Sequence, residues 1–371
     1  MSSSAAHKAD LATIFRHFDT RADFVSAAPY GTGHINDTYR VASSLGGHRV
    51  YFTLQHISTR IFKDGPGLMD NIQRICRNAA ARLRAGGATD ASRRALQMIP
   101  ALDGRPYHVD GAGMLWRLYL FVDGVRTYDR IEQPRHAYEA ARAFGLFQRL
   151  LADLPGQRLV ETIPFFHHTV RRLQALQDAI RQDAAGRAAG VRREIDFVLS
   201  RETLCGEILR LMAAGDLPER VTHNDTKINN VLMDEKSDEG ICVIDLDTCM
   251  PGSALYDFGD MVRSGTNSTA EDDPDPSNVR CQRPIFEALA RGYLAAADFL
   301  TPAERGSLVL GGKLMTLECG IRFLADHLQG DVYFKVHRPN HNLDRCRTQF
   351  ALVKSIEDQE PDLLRFVEGL Q

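Results

Sequence analysis

Hydrophobic positions recur with two different periods along this chain. In roughly the first third, from Phe24 to about Phe121, strand-like stretches come at intervals, at residues 24–28, 38–42, 49–54 and 115–122. The second alternates, with Tyr39 and Val41 on one face and Thr38 and Arg40 on the other. One helix interrupts them: Leu68, Ile72, Ile75, Ala79 and Leu83 recur at three- and four-residue steps, after Gly65-Pro66-Gly67 and before Gly86-Gly87. Strands with a single inserted helix predict a small α+β domain. Beyond Asp123-Gly124 the period becomes helical. Ala137, Ala141, Phe144, Phe147, Leu151 and Leu154 form one stripe behind Pro134, and Val170, Leu173, Leu176 and Ile180 form another. Residues 195–212 predict a third helix, and 283–300 and 304–328 predict more. Strand-like sequence returns once, at 231–233 and 241–244, around a polar stretch that reads as a hairpin loop. The acidic run Glu271-Asp-Asp-Pro-Asp-Pro276 predicts a solvated mobile loop. The expected division is 1–122 as a sheet lobe and 123–371 as a helical lobe with one embedded hairpin.

Composition narrows the class. With 371 residues, 44% hydrophobic and 25% charged, the chain has ample material for packed cores. Lys plus Arg is 45 against 48 for Asp plus Glu, a net charge of −3, which offers no broad basic face to nucleic acid. The seven cysteines never form a C-x-x-C pair, so a zinc site or a disulfide framework is not expected and a reducing compartment is. No apolar run reaches the roughly 18 residues a membrane span needs, and the first ten residues lack the apolar core of a secretory signal. The expectation is a soluble cytoplasmic protein with no membrane partner. Its oligomeric state has no sequence signature.

The richest chemistry lies in Val221-Thr-His223-Asn-Asp225-Thr-Lys-Ile-Asn-Asn230-Val-Leu-Met233 and in Ile241-Cys-Val-Ile-Asp245-Leu-Asp247. A hairpin brings the residue before its first strand close to the residue after its second, so Asn230 and Asp245 are expected to meet. An amide oxygen beside a carboxylate suits Mg²⁺, a hard ion that prefers oxygen. A second carboxylate, Asp225, five residues before Asn230, is placed to accept a proton from an attacking hydroxyl. Base, Asn ligand and Asp ligand in this order are the parts needed for phosphoryl transfer from a nucleoside triphosphate. The bland alternative is an Asx-rich turn whose side chains only satisfy backbone N–H groups. His223 reads as a brace for the loop. Tyr30-Gly31-Thr32-Gly33-His34-Ile-Asn36-Asp37-Thr38-Tyr39 forms a second motif. Gly31 and Gly33 permit a tight turn and let backbone N–H groups of 31–33, with Thr32 between them, approach phosphates.

These residues resemble the aminoglycoside phosphotransferase and choline kinase superfamily, through His223-Asn-Asp225-x4-Asn230, Val243-Ile-Asp245 and Asp257-Phe-Gly-Asp260. The resemblance is closer to the N-acetylhexosamine 1-kinases, through the glycine motif, His223-Asn-Asp-Thr-Lys-x-Asn-Asn-Val-Leu232, Ile244-Asp-Leu-Asp-Thr248 and Met250-Pro-Gly252. It implies a protein-kinase-like α+β fold with a small antiparallel-sheet N-lobe, a larger helical C-lobe and ATP in the cleft. It implies Asp225 as base and Asn230 and Asp245 as magnesium ligands, with Tyr119 and Phe121 in the hinge that meets adenine. It also implies His34, Arg322 and Tyr333 as ligands of sugar hydroxyls. The implied activity is ATP- and Mg²⁺-dependent phosphorylation of the anomeric hydroxyl of N-acetylglucosamine or N-acetylgalactosamine.

One departure stands out. Relatives of this kind end the third strand with a lysine that holds the phosphates, and here Gln55 occupies that place. No Glu occurs from 51 to 100 to pair with it, so Lys63 and Arg49 are the candidate substitutes. Glu318, Arg322 and Asp326, four apart, read equally as a solvated salt-bridge ladder. Asp257 reads as an anchor for the catalytic loop and Trp116 as core. Rival readings are a kinase for another small alcohol (aminoglycoside, choline or homoserine), a catalytically silent nucleotide-binding protein, and a metal-dependent hydrolase built on His223, Asp225, Asp245 and Asp247.

Overall fold

The computed structural model describes residues 10–31 and 35–370. The chain divides into two compact units: Met1–Val125 with Asp153–Ile163 and Cys242–Asp247, and Arg126–Ala152 with Pro164–Ile241 and Thr248–Gln371. No helix among the described residues is long and apolar enough to cross a membrane.

The first unit is an antiparallel sheet with helices. Its elements are α1 (Leu11–Arg16), β1 (Asp23–Pro29), β2 (Asp37–Leu45), β3 (His48–Ile57), α2 (Gly65–Ala85), α3 (Ala91–Arg94), β4 (Met98–Ile99), β5 (His108–Val109) and β6 (Leu115–Leu120). The sheet order is β1-β2-β3-β6-β4, with β5 also on β6. Because strand side chains alternate, one face of β3 and β6 carries Phe52, Leu54, Trp116 and Leu118, which pack with Phe15 and Phe18 into one core. The opposite face carries Tyr51, Thr53, Gln55, Arg117 and Tyr119. Trp116 is buried, and its indole N–H donates to Asp110 at 2.9 Å. The Asp64 side chain caps α2 by accepting from Gly67 N–H at 2.9 Å, so the Gly-Pro-Gly run starts the helix instead of preceding it. Residues 153–163 are tied to α2, where Asn71 donates to the carbonyl of Val160 at 2.9 Å and accepts its N–H at 3.1 Å.

The chain enters the second unit within β7 (Val125–Arg126) and continues through α4 (Pro134–Leu151), α5 (Thr169–Gln182), α6 (Arg192–Leu199) and α7 (Glu202–Ala214). Then come β8 (Arg220–Thr222), β9 (Val231–Asp234), β10 (Gly240–Val243), β11 (Met250–Gly252), α8 (Ala254–Gly265), α9 (Arg283–Ala296), α10 (Pro302–Gly306), α11 (Leu308–Gln329) and α12 (His341–Glu368). The helices α5, α6, α7, α11 and α12 share a core that includes Leu176, Val198, Leu324 and Val353.

Three sequence expectations are corrected here. The single helix predicted over 195–212 is two, because Arg201 leaves helical geometry and clamps Glu357 through two 2.8 Å contacts. β8 and β11 pair antiparallel, from Met250↔Thr222 to Gly252↔Arg220, although three-residue strands carry too little alternation to be read. The acidic run is pinned: Glu271 accepts from Arg263 at 2.9 Å, Asp272 pairs with His341 at 2.9 Å, and the Asp273 carbonyl accepts from Thr348 at 3.2 Å.

Candidate active site

In the second unit, residues 223–230 follow directly on β8 and lead into β9. Buried side chains hold this loop by its backbone. Asp257, in the first turn of α8, accepts the N–H groups of His223 at 2.8 Å and Asn224 at 2.7 Å, and the Gln148 amide at 2.5 Å. Asp260, one turn on, accepts Thr226 N–H at 2.9 Å and is itself held by Arg263 at 2.7 Å. The Ser253 side chain caps α8, which aims these two carboxylates at the loop. Asn224 takes a left-handed backbone, φ 65°, which an Asn tolerates, and its amide donates to the Thr248 carbonyl at 2.8 Å. His223 is fully buried against the edges of Phe144 and Phe147, and its Nδ1 accepts Asp225 N–H at 3.3 Å. It braces the loop from beneath.

The residues that the sequence singles out in this unit lie within this frame. Asp225 is partly exposed, with Lys227 Nζ 2.7 Å from its Oδ1. Burial alone would push its carboxyl up, but Lys227, helped by His223 and Arg263, outweighs that and holds it below the usual aspartate value. Asn230 donates through Nδ2 to the Asp225 carbonyl at 2.8 Å and to its carboxylate at 3.1 Å. The amide nitrogen is therefore committed, and Oδ1 is the atom left for a metal ion. Lys227 was not singled out in the sequence, although a lysine two residues after the candidate aspartate is a legible signal.

A second cluster in this unit joins α11 to the loop. Glu318 accepts from His167 Nδ1 at 2.8 Å and Thr169 at 2.5 Å, and His167 Nε2 meets the Asn224 carbonyl at 3.1 Å. His167 thereby links Glu318 to the backbone of the loop. Burial would raise the Glu318 carboxyl, yet His167 pulls it below the ordinary value. Arg322 lies between the rings of Phe166, at 5.9 Å, and Phe334, at 5.4 Å, and makes no hydrogen bond with any described residue. Arg172 donates to the Phe166 carbonyl at 2.8 Å, while its buried Nε has no partner among the described residues. Desolvation, with Arg322 adding to it, lowers the Arg172 pKa. Glu318, Arg322 and Asp326 form no ladder. Asp326 instead accepts the N–H groups of Val332, Tyr333 and Phe334 at 2.8–3.0 Å, which fixes the segment carrying Tyr333, itself 72% exposed.

In the first unit, Gly31 has φ +80°, the backbone that favours glycine, next to the Tyr30 N–H to Thr38 carbonyl bond of 2.9 Å. Thr32, Gly33 and His34 lie outside the described residues. Gln55 stands opposite Arg117 in the β3–β6 register. Arg117 Nε donates to Gln55 Oε1 at 2.9 Å, and Gln55 Nε2 donates to Thr38 Oγ1 at 2.9 Å. Arg117 also pairs with Asp247, which accepts the Asn36 amide at 2.6 Å. Thr162 donates to the Asp247 carbonyl at 2.8 Å, so the Asp245-Leu-Asp247 segment is secured at its end. Asp245 is exposed, in a left-handed backbone with φ 59°. Tyr119 is buried, and its hydroxyl has no partner among the described residues. Phe121 donates its N–H to the Tyr51 carbonyl at 3.1 Å, and Leu120 donates to Gln97 at 2.9 Å, so two N–H groups of the expected hinge are already engaged.

The phosphotransferase enzyme family, APH, matches residues 26–303. The chain belongs to this family. Its fold is similar to that of an aminoglycoside phosphotransferase from Alicyclobacillus acidocaldarius, with 13% identity over 96% of each chain and a TM-score of 0.59. A choline kinase from Cryptosporidium parvum matches at 13% identity and TM-score 0.52, over 93% of this chain and 91% of that one. A Plasmodium vivax ethanolamine kinase matches at 15% and 0.51, over 89% and 82%. This phosphotransferase therefore has the kinase-like α+β fold, with an antiparallel-sheet unit and a helical unit.

Proposed function

We propose that this phosphotransferase transfers the γ-phosphoryl group of ATP to the anomeric hydroxyl of an N-acetylhexosamine, giving the sugar 1-phosphate. The observation that carries the sugar assignment is Arg322, with no hydrogen-bond partner among the described residues and aromatic rings on two sides, together with its neighbour Arg172. A neutral sugar uses polar donors for its hydroxyls and acyl oxygen and aromatic faces for its C–H surface. Choline, ethanolamine and aminoglycosides are cations, and two guanidinium groups with one already-engaged carboxylate, Glu318, disfavour them. Tyr333 and, by resemblance, His34 complete the sugar ligands.

Asp225 accepts the anomeric proton as the sugar oxygen forms its bond to phosphorus and the bond to the departing ADP oxygen breaks. The anomeric hydroxyl is the most acidic on the ring, so a carboxylate of lowered basicity can still assist it. Lys227 holds Asp225 ionised and offsets negative charge beside it. Asn230 Oδ1 and the exposed Asp245 carboxylate are oxygen donors of the kind Mg²⁺ takes, and the ion would neutralise charge on the phosphate oxygens. Gly31, Thr32, Gly33, Gln55, Tyr119 and Phe121 are assigned to the nucleotide.

The test is an ADP-release screen over N-acetylglucosamine, N-acetylgalactosamine, free hexoses, aminoglycosides, choline and homoserine. Turnover is expected with the N-acetylhexosamines, and phosphorus NMR should show coupling to the anomeric proton. Their methyl glycosides should yield no phosphorylated sugar. Phosphorylation of a methyl glycoside would refute the 1-kinase assignment, and a preference for choline or an aminoglycoside would refute the sugar.

A further inference from the structure

The phosphate-side lysine that the resemblance calls for is absent, and the first unit shows what stands in its place. Neither sequence candidate meets Gln55 among the described residues. Lys63 is exposed beyond the end of β3, and Arg49 lies six residues before Gln55 on that strand, about 20 Å away at some 3.3 Å per residue. The charge nearest Gln55 is on the neighbouring strand. Arg117 is the lone charged residue in the apolar strand Leu-Trp-Arg-Leu-Tyr-Leu and lies directly opposite Gln55.

Its surroundings explain how a cation is kept there. The side chains of Arg117 and Asp247 are 1% and 3% exposed, and breaking such a pair by removing one partner strands a buried charge. The adjoining helix α2 offers no acid at this point. It offers Cys76, whose thiol burial pushes up to about 12, so it is neutral and cannot pair with the guanidinium. Asp247 is therefore the acid partner, reached from the segment that also carries Asp245.

The orientation of Gln55 follows from donor chemistry. A guanidinium only donates, so the Gln55 oxygen must face Arg117 and its NH₂ must point away. One of those two hydrogens goes to Thr38 Oγ1, at the start of β2 beyond the glycine turn, and the other has no acceptor among the described residues.

We propose that Arg117 is a positioning residue for nucleotide phosphates: it locks the Gln55 amide with its N–H donor outward, so that Gln55 and the Arg117–Asp247 pair together replace the strand lysine and its acidic partner. This rests on the ATP reading above. It assigns Gln55 the direct contact and makes Arg117, a strand away, the reason that contact is a donor.

The test compares the binding of ADP and adenosine in EDTA by calorimetry, since only ADP reports on the phosphates. Gln55→Glu keeps the shape and the Arg117 contact but turns an acceptor outward. It should weaken ADP by about tenfold or more and leave adenosine within twofold. Gln55→Lys should bind ADP at least as tightly as the wild type. Arg117→Met with Asp247→Leu removes both buried charges together, frees the amide to rotate, and should lower the ADP-to-adenosine affinity ratio about three- to tenfold. Adding Gln55→Lys to that background should restore it. An unchanged ratio in Gln55→Glu overturns the phosphate contact. An equal loss of ADP and adenosine in the double variant reduces Arg117 to a structural role and overturns the positioning. A wild type that binds neither probe overturns the nucleotide reading itself. Gln55→Glu alters a partly exposed side chain and decides the direct contact should the double variant fail to fold.

Discussion

Replacing Asp257 by Asn tests whether the catalytic loop is held from α8 as described. One carboxylate oxygen, Oδ1, accepts Asn224 N–H, and the other, Oδ2, accepts both His223 N–H and the Gln148 amide. An asparagine must put its NH₂ at one of these positions. Placed at Oδ2 it would face two donors, so it will settle at Oδ1 and face one, the Asn224 N–H. That group is buried and would be left without an acceptor, which costs about 1–3 kcal/mol. The remaining two bonds lose their charge assistance, worth about another 1 kcal/mol. The expected destabilisation is about 2–4 kcal/mol, or roughly 4–16 °C in Tm for a unit of this size. Asn224 precedes Asp225, so the displaced N–H also moves the proposed base, and kcat should fall about ten- to hundredfold. Differential scanning calorimetry and steady-state kinetics on purified Asp257→Asn measure both. A Tm within 1 °C of wild type together with unchanged kcat would refute the anchoring argument.

Asp225→Asn should leave ATP affinity nearly intact and lower kcat by about two to four orders of magnitude, and a variant that keeps most of its turnover would remove Asp225 as base. Lys227→Met removes the charge that holds the Asp225 carboxyl low and leaves the burial that raises it. The acid-side fall of kcat/KM should therefore move to higher pH, and an acid limb that stays in place would refute the pairing. Glu318 has a folded value below its ordinary 4.5, so its contribution to stability is present above pH 4.5 and is lost as pH falls through the lower folded value. Chemical denaturation across this range should show a shallower acid loss for Glu318→Gln, and identical slopes would show that the His167–Glu318 pair is not coupled to folding.

Local pattern carried much of this protein. Alternation in β2, the three- and four-residue steps of α2 and α4, and the polar string between β8 and β9 all depend on neighbours within a few residues, and they are visible without a structure. So were the family motifs, because the chemistry they serve needs particular residue types at fixed short spacings. Elements shorter than one period were not visible. β8 and β11 have three residues each, and the break at Arg201 is set by Glu357, a residue 156 positions away. The long helix α12 also escaped notice. Its pattern is diluted by polar residues such as Asn342 and Thr348, which are buried because segments outside the helix supply their partners.

Side-chain partnership lies furthest from the sequence. That Gln55 stood where a lysine was expected could be read from strand position alone. That its partner is Arg117 required the β3–β6 register, which joins residues 62 apart, and the Asp247 that neutralises Arg117 lies 130 residues further on. The sequence by itself determined which residues could do chemistry, through type and local spacing. Only the tertiary structure decided which charges meet, because burial makes an unpaired charge costly and the chain satisfies it with whatever partner the fold brings within reach, at any separation in sequence.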